Sequence, residues 1–426
     1  MLNRTIQPTI TQPVDFNLYL KPYHHFALDN GVDVYAIEAG EQEVLMLDLV
    51  FDAGNWFEDK KVIAASANFL LKNGTSNKTA FEINEHFDFY GAYLNRSCYN
   101  ETATITLHAL SKNLAELTPV ITEIVSDAVF PEEELNIYKQ NQKQRLEVNL
   151  KKCDFVATRL IDEYLFGMHH PYGTYNSTVD YDNVDKESII KFYNQYYKNG
   201  NCKIFIAGKL PDNYETVLNN AFGALPLNIN TNVKKEIVST PATEKKYHII
   251  NDENGVQAAL RIARNFPNKH HPDFQKTLVL NNVFGGFFGS RLMSNIREDK
   301  GYTYGIHSYL QNHIQESAWM ISTECGRDVA NATIDEVYKE MKILQDALID
   351  KEELELVKNY MIGTLLGDLD GPFQILARWK SYILNGFDES YFTKAINTIK
   401  TVTSEELQVL AKKYLNPNEF FELTVI

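Results

Sequence analysis

Residues 102–110, TATITLHAL, alternate apolar and polar positions with the period of a half-buried strand. A first strand carrying an Asn30-Gly31 turn leads into VLMLDLVFDAG (44–54). A helix follows, then Gly74, a second helix, Tyr90-Gly91 and the alternating strands. Farther along, Asn254-Gly255 leads into AALRIARNF, a helix, Gly285-Gly286, a second helix, Gly301, and the strands YGIHSYL and SAWMISTEC. Strands come in adjacent groups with helices between the groups. That order predicts an α+β fold with antiparallel-rich sheets rather than a doubly wound parallel one.

The two series are a repeat. NVDKESIIKFYNQYYKNGNCKIFIAG (183–208) and TVTSEELQVLAKKYLNPNEFFELTVI (401–426) share an acidic helix start, a Tyr-x-Asn helix end and a closing strand. Val184 pairs with Val402 at an offset of 218, and Leu135 of PEEEL pairs with Leu354 of KEEL at 219. Two nearly equal offsets far apart in the chain argue for duplication. The polar stretch LPLNINTNVKKEIVSTPATEKK (225–246) has no amphipathic pattern and marks the junction. Two lobes are expected, 1–228 and 247–426, joined by a tether at 229–246, and such a pair makes a shell that can close on a ligand.

Composition narrows the function classes. The chain has 426 residues, 44% of them hydrophobic, enough for two sizeable cores. Its formal net charge of −15 disfavours nucleic acid and anionic membrane as partners. Cys98, Cys153, Cys202 and Cys325 are scattered, with no CxxC pair, so reduced core thiols are expected rather than a disulfide framework or zinc knuckle. MLNRTIQPTITQPVDFNLYL lacks an apolar signal core, which points to a cytoplasmic protein. No apolar run nears the ~18 residues of a membrane span, and even VLMLDLVF is broken by Asp48.

Several segments together resemble the pitrilysin-like metallopeptidases, which include insulin-degrading enzyme and mitochondrial processing peptidase. They are LDNGVDVYAIEAG, FDAGNWFED, LLKNGTSNKTAFEI, FYGAYLNRSCYNETATI, the stretch from HHPYG through KIFIAG, and FGGFFGSRLMSNIREDKGYTYGIHSYL. The resemblance covers nearly the whole chain in order. It implies two homologous α+β lobes, each a mixed, antiparallel-rich sheet packed with helices, in a clam-shell.

It also implies a zinc helix of pattern H-x-x-E-H with a Lys-Gly-Thr-like ending. Two histidines four apart share a helical face and grip one zinc, and the glutamate serves the metal-bound water as general base. In AASANFLLKNGT (64–75) those positions are Ala65, Asn68 and Phe69. All three functional groups are absent, and no histidine lies between His25 and His86. The family's third ligand, a glutamate about 77 residues past the second histidine, falls at Leu146, beside Glu147. One carboxylate without imidazoles does not hold zinc tightly, so no metal or other cofactor is expected in this chain.

Other metal-like groupings are weaker. Glu82, Glu85 and His86 imitate part of the motif. His24-His25, His169-His170 and His270-His271 are adjacent pairs whose side chains point to different faces. HHPYG matches a family turn and reads as structural. Gly285, Gly286 and Gly289 lack a phosphate-loop pattern; they fit close packing, and the resemblance implies a flexible wall near substrate.

The second half keeps its share of the family site. Arg297-Glu298-Asp299-Lys300-Gly301-Tyr302-Thr303-Tyr304 matches R-E-x-x-G-x-x-Y in full. The resemblance implies that Arg297 and Tyr304 contact the substrate backbone beside the scissile bond. A guanidinium offers fixed donors to carbonyls, and a phenol can stabilise a developing oxyanion. The chain thus resembles the zinc-motif-lacking subunit of a split peptidase. It would bind extended peptides, with zinc in a homologous partner, and be inactive alone. Two alternatives stand beside this: a stand-alone peptide-binding or scaffold protein, in one version a homodimer, and an enzyme with a relocated metal site at Glu82, Glu85, His86 or Glu147.

Overall fold

A computed structural model describes residues 18–229 and 236–426. Most of the N-terminal stretch read as lacking a signal core, and part of the expected tether, lie outside these residues. The chain is α+β, with two sheets, each packed with helices.

The first sheet contains β1 (His24–Ala27), β2 (Asp33–Glu38), β3 (Val44–Phe51), β4 (Tyr93–Cys98), β5 (Ala103–Leu110) and β6 (Cys202–Gly208), in the order β1-β2-β6-β3-β5-β4. It is mixed: β2 and β6 run parallel, the other pairs antiparallel. The second contains β7 (Lys246–Ile249), β8 (Gln257–Phe266), β9 (Thr303–Asn312), β10 (Ser317–Gly326) and β11 (Phe421–Val425), in the order β7-β11-β8-β10-β9. From β2 onward the two orders correspond strand for strand. Both sheets thus leave one counterpart exposed at an edge, β4 in the first and β9 in the second.

Among the helices of the first half, α1 spans Ile63–Leu70, α2 Ala80–Phe89, α3 Leu114–Asp127, α4 Glu132–Asn149, α5 Cys153–Phe166, α6 Thr178–Asp182, α7 Lys186–Tyr193 and α8 Tyr214–Phe222. In the second half α9 spans Phe274–Asn281, α10 Ala330–Asp346, α11 Lys351–Gly367, α12 Pro372–Leu384, α13 Glu389–Thr401 and α14 Ser404–Tyr414. The repeat is physical as well as textual. Asp185 caps α7 by accepting from the Ser188 N–H, and Thr403 caps α14 by accepting from the Glu406 N–H, again 218 residues apart. The matching acidic starts PEEEL and KEEL open α4 and α11, where carboxylates favour the positive helix end. One expected element differs. The second helix after Gly285-Gly286 is a π-helical segment, Met293–Asp299, wider than an α-helix.

By compactness, one unit holds Lys21–Gly255, Gly371–Lys380 and Leu423–Ile426, and the other Val256–Asp370 and Ser381–Glu422. In the first unit, Asp48 in the middle of β3 is 1% exposed and ion-paired to Lys380. The Trp379 indole N–H donates to the Lys21 carbonyl at 2.8 Å. Residues 236–245 form no helix or strand, yet the Thr240 and Ala242 N–H groups donate to the Phe166 and Tyr164 carbonyls of α5 at 2.9 Å each.

Candidate functional site

Helix α1 begins after Val62, whose φ of 64° is unusual for a β-branched residue. The Glu58 carboxylate accepts from the Val62 N–H at 3.2 Å and the Ala64 N–H at 3.0 Å, serving orphan donors at the helix start. Burial pushes the Glu58 carboxyl up to about 7, against those hydrogen bonds. The helix packs on the sheet through Ile63, Ala64, Ala67 and Leu70, all in the core.

The three motif positions have separate surroundings. Ala65 is exposed and carries no donor atom. Asn68 is 3% exposed and turned inward, donating to the Thr104 carbonyl at 3.3 Å and the Tyr197 hydroxyl at 3.1 Å. Phe69 is 43% exposed. Its ring lies 4.9 Å from that of Tyr138 on α4, and the Arg96 guanidinium sits over it at 5.1 Å. Arg96, on edge strand β4, also donates to the Phe69 carbonyl. At the third-ligand region Leu146 is buried and Glu147 exposed on α4. A methyl, an inward amide, a phenyl and a leucine offer no ligand set, so these residues do not fit zinc.

The other groupings resolve into structural work. Glu82 forms a capping box with Thr79, and His86 Nε2 bonds the Glu116 carbonyl at 3.0 Å. His24 pairs with Glu215 and His25 with Asp33, while the rings of His270 and Phe387 lie 4.4 Å apart. His170 is buried beside Trp56, Phe166 and Tyr172, and its Nδ1 accepts from the Tyr172 N–H at 3.2 Å. Among the described residues, no group of three or more His, Cys, Asp or Glu side chains is placed to hold a metal ion. The four cysteines are free thiols. Burial pushes Cys98 up to about 12 and raises Cys202 as well, which suppresses the nucleophilic thiolate.

The second-half constellation is brought together. Arg297 lies in the last turn of the π-helical segment, and its Nε donates to the Tyr304 carbonyl at 3.0 Å. Its guanidinium lies 4.5 Å over the Phe288 ring and 3.7 Å from Glu298. Tyr304 stands on edge strand β9 with 98% exposure, its hydroxyl turned to solvent. Behind it, a Cβ on Gly285 would lie 2.7 Å from the Ser308 Cβ and 2.8 Å from the Leu292 Cδ1, so that glycine is required for close packing. Gly286 borders Asn282, and Gly289 sits in the exposed turn beside Phe288.

Sequence reading passed over Arg96, Glu58 and Tyr138. Only Arg96 left a signal. It alternates with Leu94 and Cys98 along β4, a charge in an otherwise inward-facing series.

Residues 183–361 match the model of the peptidase M16 inactive domain, a segment that does not include α1. The chain is 24% identical to an uncharacterized zinc protease, YmxG, of Bacillus subtilis, over 81% of this chain and 83% of that protein. It is 23% identical to the non-peptidase homolog YmxG of Helicobacter pylori, over 88% and 87%. It is 21% identical to the beta subunit of the bovine mitochondrial-processing peptidase, over 82% and 73%. The crystal structure of a peptidase M16 inactive domain from Pseudomonas fluorescens superposes with a TM-score of 0.84 at 22% identity, over 95% of this chain and 98% of that one.

Proposed function

The chain belongs to the M16 peptidase family, with the inactive-type domain over residues 183–361, and from that premise we propose that it is a zinc-free, peptide-binding subunit of a metalloendopeptidase complex. One asymmetry carries the reading. The motif helix carries no zinc ligand, while Arg297 stays bonded to the Tyr304 main-chain carbonyl and the Tyr304 phenol is presented to solvent. Packing of this chain's own core does not require a fully exposed tyrosine. A role at a partner's substrate would account for it.

On this reading the zinc sits in a homologous chain, where it would supply Lewis-acid activation of water. This chain's residues bind and orient. An extended peptide adds to an edge strand, β4 or β9, through main-chain hydrogen bonds, which makes capture tolerant of sequence. Arg297 then offers donors to the peptide carbonyls, and Tyr304 a hydroxyl to the oxyanion. A bovine relative is itself named as a subunit, which supports pairing with a homologous chain. The lobes 1–228 and 247–426, the tether 229–246, their clam-shell arrangement and a cytoplasmic setting belong to the same proposal. The four free thiols agree with a reducing compartment.

The test is turnover by the reconstituted complex. Arg297→Ala and Tyr304→Phe should each lower peptide turnover while zinc content stays with the partner. Unchanged turnover in both variants would remove the role assigned to them. A homodimeric scaffold with no catalytic partner is the second reading; the description of one relative as a non-peptidase homolog favours it.

A further inference from the structure

Strand β4 and the end of α1 carry two cations that the rest of the site does not explain. Lys72 follows α1 and is half-buried. Arg96, on the edge strand, is partly buried against Phe69. Burial lowers the Lys72 ammonium first and the Arg96 charge lowers it further, while Asp88 acts in the opposite direction. Burial takes Arg96 down to about 10, which still leaves it charged at neutral pH. Like charges held together away from water are costly unless something of opposite sign joins them.

Among the described residues Asp88 acts on Lys72 only from a distance, and no carboxylate forms an ion pair with either cation. Most other cations of the first unit that lie near carboxylates are paired, as Lys60 is with Asp185, Lys78 with Glu123, Lys143 with Asp182 and Lys380 with Asp48. Arg96 and Lys72 have no such carboxylate. The one hydrogen bond of Arg96 runs to the Phe69 carbonyl, and its Nε is buried without a partner. Asp88 is exposed at the end of α2 and forms no ion pair with Lys72 within 4 Å among the described residues. In a chain of net charge −15, two neighbouring cations left without carboxylates mark a locus for an external anion.

The location decides which anion. Arg96 lies on the edge strand of the first sheet, where an extended peptide would add. It also covers Phe69, the position that the family resemblance gives to a zinc-binding histidine. A fixed guanidinium there supplies positive charge and directional donors but cannot activate water. We propose that Arg96 and Lys72 form a carboxylate-binding subsite beside β4, which selects extended peptides carrying an acidic side chain or a free C-terminus at that point. The inference rests on the peptide-binding reading above and narrows it to anionic peptides. No bond is made or broken at the subsite.

The measurement is fluorescence anisotropy on the full chain, with dye-labelled decapeptides of one sequence in four forms. These have a free or amidated C-terminus, each with a central Glu or Gln. The amidated Gln form should bind at least about tenfold more weakly than the best carboxylate form, as loss of a charge-assisted contact requires. Comparison of the other two forms tells whether the terminus or the side chain supplies the anion. Arg96→Gln and Lys72→Gln should each erase the preference. Arg96→Lys, which keeps the charge without the fork, should restore part of it. Lys72→Gln serves if Arg96→Gln fails to fold, since Lys72 lies outside the helix. Equal binding of all four forms, or a preference that survives both variants, overturns the subsite and leaves peptide binding standing. No binding of any form overturns both.

Discussion

If α1 now serves packing, Asn68 is where that role is most measurable. Asn68→Ala removes an amide that donates to the Thr104 carbonyl and the Tyr197 hydroxyl, both deep in the first unit. Thr104 sits in the β5 ladder between Val50 and Ser97, so its carbonyl is not left without structure around it. Tyr197 is fully buried and loses the amide that held its hydroxyl. An orphaned buried hydroxyl costs about 1–3 kcal/mol, and the small void adds to it. A total of about 2–3 kcal/mol corresponds to a fall of roughly 4–12 °C in melting temperature for a unit of this size. Tyr197→Phe removes the hydroxyl but leaves Asn68 its carbonyl partner, at a cost of about 1 kcal/mol. The double variant should therefore cost less than the two singles together. Thermal and urea unfolding of all four proteins checks this, with peptide binding measured on the folded chains and expected to be unchanged. A change for Asn68→Ala within about 0.5 kcal/mol of zero, or strict additivity in the cycle, would refute the packing role.

Other outcomes follow from the same residues. In the reconstituted complex, Tyr304→Phe should cut turnover by about 100-fold, the scale of losing one oxyanion donor; because Tyr304 is exposed, its melting temperature should not move. Glu58 has a folded carboxyl raised to about 7, above its usual 4.5, so its folded form holds the proton more tightly than the unfolded chain. Its contribution is present below about pH 4.5 and lost as pH rises through about 7. The stability difference between wild type and Glu58→Gln should therefore fall for wild type across that window; a pH-independent difference would contradict it. Chelator treatment should leave the melting temperature of the lone chain unchanged, read by differential scanning fluorimetry.

Much of this molecule was legible in its sequence because duplication writes the same capping chemistry twice. Asp185 and Thr403 open equivalent helices at the offset that the letters gave. The strand orders then agree from β2 onward. Loss of the zinc ligands was legible too, since Ala65 and Phe69 have nothing to offer a metal whatever their surroundings. What escaped depends on contacts that spacing does not encode. Asp48 reads as an interruption of an apolar strand, yet it meets Lys380 from 332 residues away. Arg96 reads as one charge in a strand, and only the fold places it over Phe69. The π-helical turn that carries Arg297 has the letters of an ordinary helix, because a widened turn is a matter of hydrogen-bond register rather than composition.

The most direct test of the central claim is zinc content and peptide cleavage, measured on this chain alone and mixed with an H-x-x-E-H homologue from the same source. The account predicts no stoichiometric zinc and no cleavage alone, with cleavage by the homologue raised on mixing. Zinc binding and cleavage by the lone chain would contradict it.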